Sequence, residues 1–184
     1  LVSALEDTTD HGLVATLFEV VEKLGAEGLL PPGSCARITK VAGEMLGRLE
    51  GPDGARAAAQ LARVLAEAAT AGDEPSEDAA LVLVAFDAIE KAVEIDGELE
   101  VYDRIVSAAP KLALFPEHAS PFVHRILTRT EDRQALTGPP LLRFASAVAD
   151  ALGDSASSAD LLAEAERREA APLGASEPPL APTE

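Results

Sequence analysis

Tryptophan and asparagine are absent from the 184 residues, and cysteine, methionine and tyrosine occur once each. The single cysteine, Cys35, excludes an internal disulfide. A lone thiol agrees better with a reducing compartment than with secretion. Without asparagine there is no N-glycosylation acceptor, and one amide used in turns, caps and oxyanion sites is missing. Positive charge is scarce: 15 Lys and Arg face 32 Asp and Glu, a formal net charge of −17. Duplex binding depends on neutralising phosphates with Lys and Arg, so this balance argues against a nucleic-acid partner. Long apolar runs are lacking too. The longest, 79–88, contains Asp87 and falls well short of the ~20 residues that span a bilayer. No basic stretch followed by an apolar one opens the sequence, so no signal peptide is read and the cytoplasm is the expected compartment.

What is present is apolar and small. Apolar residues make up 47% and aromatics 3%, and alanine is about a fifth of the chain. That content is too apolar for an acidic disordered chain. Alanine is the best helix former, and its small side chain lets helices approach closely.

The apolar residues recur at helical spacing almost throughout. From Asp10, the stripe Leu13, Val14, Leu17, Phe18, Val21 and Leu24 stops at Gly25. Ser34 is positioned to cap a helix through Leu49, with Gly51 beyond its end. Asp53 caps the next, which runs to Gly72. Ser76 opens the most apolar segment, whose residues 79–93 leave little polar face in the first half. An all-round apolar helix is a buried one, so this segment is expected to be the central element. Asp96-Gly97 interrupts the pattern, a helix over 98–109 follows, and Pro110 marks its exit. Residues 111–119 read as a connector, and Ser120-Pro121 as a helix start. Thr130, Glu131 and Asp132 offer a cap for a second short helix, or the first continues. Gly138-Pro139-Pro140 breaks the chain before a helix that Gly153 ends, and a last helix is expected over 160–170.

Alternating β-branched strands are not seen. The expected fold is all-α, a compact multi-helix bundle of six to eight helices. Stacked helical hairpins of the HEAT or armadillo kind are the alternative, because helix pairs at 34–71, 76–109 and 120–153 start at near-regular intervals. Residues 1–170 are read as a single all-helical domain, and the Pro-rich 171–184 as a disordered or extended tail.

Few constellations carry chemistry. His118 and His124 lie six apart with Pro121 between them, and neither HExxH nor a Cys/His cluster occurs. His118 beside Glu117 is weighed as half of a ligand set against an exposed loop histidine. Cys35, at the start of a helix, is the one candidate nucleophile, with a buried small hydrophobe as the plain alternative. Residues 94–103 match the second half of an EF-hand loop in part. However, Ala92 stands where the first ligand belongs, so the segment reads as a helix–Gly–helix joint. No metal and no cofactor is expected.

The remaining feature is basic. Arg125, Arg129 and Arg133 fall at i, i+4 and i+8, and Arg143 extends the cluster into the next helix. Such a stripe either pairs with neighbouring acids or docks a carboxylate- or phosphate-bearing partner, for which the guanidinium fork is suited. The functional expectation is a non-catalytic helical interaction module: an adaptor, scaffold or subunit whose partner is another protein. An acidic inhibitor or antitoxin-like protein that neutralises a basic partner is the runner-up. An enzyme or ligand-binding bundle with a site assembled from distant residues is the third class. Neither nucleic acid nor membrane is expected as a partner, and homo-oligomers are left open.

Overall fold

The computed structural model describes residues 11–26, 40–41, 43–71, 75–131 and 137–170. The expected tail at 171–184, Cys35 and Arg133 lie outside the described residues. Among the described residues the fold is all-α, without strands. Its helices are α1 (His11–Ala26), α2 (Gly51–Ala71), α3 (Pro75–Ile95), α4 (Leu99–Ile105), α5 (Ala109–Leu112), α6 (Pro116–Glu131), α7 (Pro139–Ala151) and α8 (Ser155–Ala170). A 3-10 turn, Val106–Ala108, joins α4 to α5. The described residues of 40–46 are helical as well.

Among the described residues the hub is α2, not the more apolar segment at 79–93. It packs on α1 and α3 most extensively and also meets α4, α5 and the 3-10 turn. Ala55, Ala57, Ala58, Ala59, Leu61, Ala62, Val64, Leu65 and Ala66 are all buried. Only a narrow stripe, Arg56, Arg63, Glu67 and Thr70, reaches solvent along this stretch. Part of that stripe is tied down: Arg56 donates to Glu19 of α1 at 3.2 Å, and Glu67 pairs with Lys111 of α5. Helix α3, expected to be buried all round, instead turns Ala80, Leu83 and Asp87 outward, with Leu83 52% exposed. The physical reason is size. Alanine adds little to apolar bulk, yet it allows neighbouring backbones close on every side, and enclosure follows approach distance.

Helix α7 gathers the second half of the chain, with neighbours α3, α4, α5, α6 and α8. One helix touching five others is a compact bundle, whereas stacked repeats touch only adjacent units. Three of the five phenylalanines close this half. Phe86 of α3 stacks on Phe122 of α6 with ring centroids 4.3 Å apart, and Phe144 of α7 meets Phe122 edge-on at 6.0 Å. Among the described residues no buried side-chain polar atom lacks a hydrogen-bond partner, as a well-formed interior requires.

Several boundaries differ from the sequence reading. Pro110 stands in the first turn of α5 and not at an exit. Helix α6 starts at Pro116, so Pro121 lies inside it and both His118 and His124 belong to one helix. A proline near a helix N-terminus forfeits only one ladder bond, which makes the misplacement easy. Helix α8 begins at Ser155, capped by Asp154, whose Oδ1 accepts the Ser157 N–H at 3.1 Å. Of the glycines read as helix ends, Gly51 and Gly153 adopt left-handed backbones, at φ +66° and +81°, whereas Gly25 lies inside α1 and Gly72 falls outside the described residues. Glycine suits the two left-handed places because a Cβ is strained there.

Candidate functional site

The geometry at the Arg stripe begins with the ring stack. Phe122 is 2% exposed and fixes the face that α6 turns toward α3. One turn on, the Arg125 guanidinium lies over the Phe122 ring, 5.6 Å from its centroid. From there its Nη2 donates to Oε1 of Glu90 on α3, while Arg129 Nη1 donates to Oε2 of the same carboxylate at 2.8 Å. Two cations at i and i+4 of one helix therefore share one acid of another. Both carboxylate oxygens are engaged, and among the described residues one nitrogen of each arginine is. Their outer edges stay open: the Arg125 and Arg129 side chains are 47% and 41% exposed.

Asp87, one turn before Glu90, is the acid most disturbed by this arrangement. Burial raises its pKa first and the neighbouring Glu90 charge raises it further, with Arg125 pulling the other way. Asp87 and Glu90 also line an open cleft of about 350 Å³, walled on the far side by Gly43, Leu46 and Gly47. Val84 gives the cleft an apolar flank, and Lys91, which also lines it, pairs with the lining Glu94 at 3.5 Å.

Arg143 belongs elsewhere. It makes a two-pronged bond to Glu169 of α8, Nε to Oε1 and Nη2 to Oε2, both at 2.8 Å. That bond raises the Arg143 pKa and holds the Glu169 carboxyl below its ordinary value. Of the arginines read as one cluster, Arg125 and Arg129 thus form an α3–α6 clamp and Arg143 an α7–α8 tie, and Arg133 lies outside the described residues.

Comparison of the chain with protein-family models, curated proteins and solved structures finds no match. What the site can do follows from its own chemistry.

The remaining candidates resolve into local structure. His118 is half-buried in the first turns of α6, with Nε2 3.9 Å from Glu117 Oε1, and His124 is exposed on another face. Residues 94–103 form the helix–Gly–helix joint: α3 ends at Ile95, Asp96 Oδ1 accepts the Glu98 N–H at 3.2 Å, and α4 follows from Leu99. No group of three His, Cys, Asp or Glu able to hold a metal occurs among the described residues. Sequence reasoning missed Glu90 and Phe122 as parts of the site. Glu90 is 35 residues from Arg125 and 39 from Arg129, and no local spacing announces such a pairing.

Exposed ion pairs stabilise a fold by about 0–1 kcal/mol each, and a cation over a ring adds roughly 0.5–1 kcal/mol at an exposed site. The clamp is thus a minor contributor to stability. Its carboxylate is committed to two guanidiniums. What it does present is a pair of oriented forks with N–H donors unengaged among the described residues.

Proposed function

We propose that this chain is a non-catalytic helical protein–protein interaction module, an adaptor, scaffold or assembly subunit, with the exposed edge of α6 as its docking face. The observation that carries the reading is the sharing of Glu90 by Arg125 and Arg129, which fixes both side chains and leaves donors on each. Guanidiniums already held in place lose little side-chain freedom when a partner's carboxylate or phosphate arrives. The test is the double variant Arg125→Gln/Arg129→Gln against the wild type, using a partner recovered with the wild-type chain. The expected result is loss of at least tenfold in affinity with stability lowered by no more than about 3 kcal/mol, the sum of two exposed pairs and the cation–ring contact. Unchanged affinity removes α6 from the docking surface.

A second reading is favoured by the cleft beside the clamp. Its lining holds three acids, Asp87, Glu90 and Glu94, one lysine, Lys91, and the apolar Leu46 and Val84, a chemistry suited to a basic side chain with an apolar stem. In that case the chain is an acidic inhibitor of a basic partner. Its affinity then falls steeply from low to physiological salt.

A further inference from the structure

Helix α8 is held differently from the rest of the fold. Its buried residues are Leu161 and Ala165, while Leu162 is 38% exposed. Much of its attachment is polar. Glu169 takes the two-pronged bond from Arg143, the Arg168 Nη1 donates to the Thr137 carbonyl at 2.6 Å, and Ser146 Oγ donates to the Ser158 carbonyl at 3.0 Å. The partners of α8 in these bonds all belong to residues 137–146, so α8 recognises one short piece of chain: α7 and the residue two before it. It has a smaller contact with α6.

The joint between the two helices is equally specific. Gly153 N–H bonds to the Asp150 carbonyl at 2.9 Å and Asp154 N–H to the Ala149 carbonyl at 2.9 Å, the pair of bonds that closes a Schellman motif. Asp154 then caps α8 directly. The reversal of direction rests on Gly153 at φ +81°. Were Gly153 to take a helical φ, α7 and α8 would join into one helix over 139–170. With so short a joint, α8 could not then reach its own α7, and the face it left would be open.

We propose that α8 is an exchangeable strap: it leaves its own α7 and docks on α7 of a second copy of this chain, giving a domain-swapped dimer with Gly153 as hinge. The surface uncovered already fits one occupant, since the second copy's α8 carries Leu161, Ala165, Ser158, Arg168 and Glu169 at the same spacing. Every contact broken in one molecule is remade between two. The exchange therefore depends on the hinge and on concentration, and not on new complementarity.

The test uses the full chain in sedimentation or light-scattering measurements. Gly153→Ala has room, for nothing lies within 4 Å of an added Cβ, so its effect is confined to the left-handed backbone. We expect it to lower the dimer dissociation constant by about tenfold per hinge. A second arm reads the pairing itself. Arg143→Glu and Glu169→Arg each place like charges between α7 and α8 within one chain, whereas a mixed dimer of the two variants restores both pairs. Mixing them, in the wild-type background as well as with Gly153→Ala, is expected to give dimers at concentrations where each alone is monomeric. Two results overturn the proposal: a Gly153→Ala chain of normal helicity that stays monomeric, or a mixture no more dimeric than its parts.

Discussion

Phe122 shows how much hangs on one side chain in a protein with five phenylalanines and no tryptophan. It is stacked on Phe86, met edge-on by Phe144, and roofed by the Arg125 guanidinium. Truncating a buried phenylalanine costs about 3–5 kcal/mol, several times the worth of the exposed ion pairs beside it. Phe122→Ala is therefore expected to lower unfolding stability by at least 3 kcal/mol in a urea titration, and also to loosen Arg125 from Glu90. A loss under 1 kcal/mol would mean that the ring stack is not what joins α3, α6 and α7. At this scale the sequence was partly legible. The i, i+4 spacing of Arg125 and Arg129 reads directly as one face of a helix. Their shared acid does not, because Glu90 becomes a neighbour only once α3 and α6 are packed.

Helix starts and stops were legible where a residue type is demanded by backbone geometry. Gly51 and Gly153 are glycines because the chain turns left-handed there, and a Cβ at such a φ costs roughly 1–2 kcal/mol. The signals failed where a residue is merely tolerated, as with Pro121, which sits inside α6. The hub was misjudged for a related reason: counting large apolar residues points to α3, whereas alanine packing makes α2 the most enclosed helix. This difference has a measurable consequence. Ala62 is fully buried in α2, and inserting a larger side chain at a close helix contact costs about 1–3 kcal/mol through overpacking. Ala62→Leu is expected to destabilise by that amount although it adds apolar bulk, as judged by thermal or chemical unfolding. A stabilised variant would show that α2 has spare room and is not the tight hub described here.

Taken over the whole molecule, acid should act unevenly. The Glu164 carboxyl is held down to about 2 by Arg167 and Arg168, from an ordinary 4.5. Glu169 is lowered by Arg143, and Asp154 by its hydrogen bonds to Ser157. All three belong to α8 or its cap. A depressed carboxyl stabilises fully above its unfolded pKa, and that contribution is lost as pH falls through the folded value. Asp87 has the opposite sign, because a raised pKa makes its ionised form unfavourable in the fold. Between about pH 4.5 and 2, α8 is therefore expected to lose amide protection before α2 does, by hydrogen exchange read residue by residue. Simultaneous loss in both helices would contradict this. The class of fold was legible from periodicity alone. The way α8 is fastened was not, since its ties run to residues 12 to 31 positions away.

Among the described residues, two of the three most extensive interfaces, α2 with α3 and α7 with α8, join helices that follow one another directly along the chain, while the third, α1 with α2, spans the helical stretch at 40–46. Contacts between sequence neighbours close short loops and form quickly. The ring stack is different, since it brings together Phe86, Phe122 and Phe144 from three separate stretches. The order of assembly follows: helical hairpins first, the stack afterwards. The Phe122→Ala chain should then refold at close to the wild-type rate and unfold much faster, so that Phe122 governs how long the native molecule lasts more than how soon it forms.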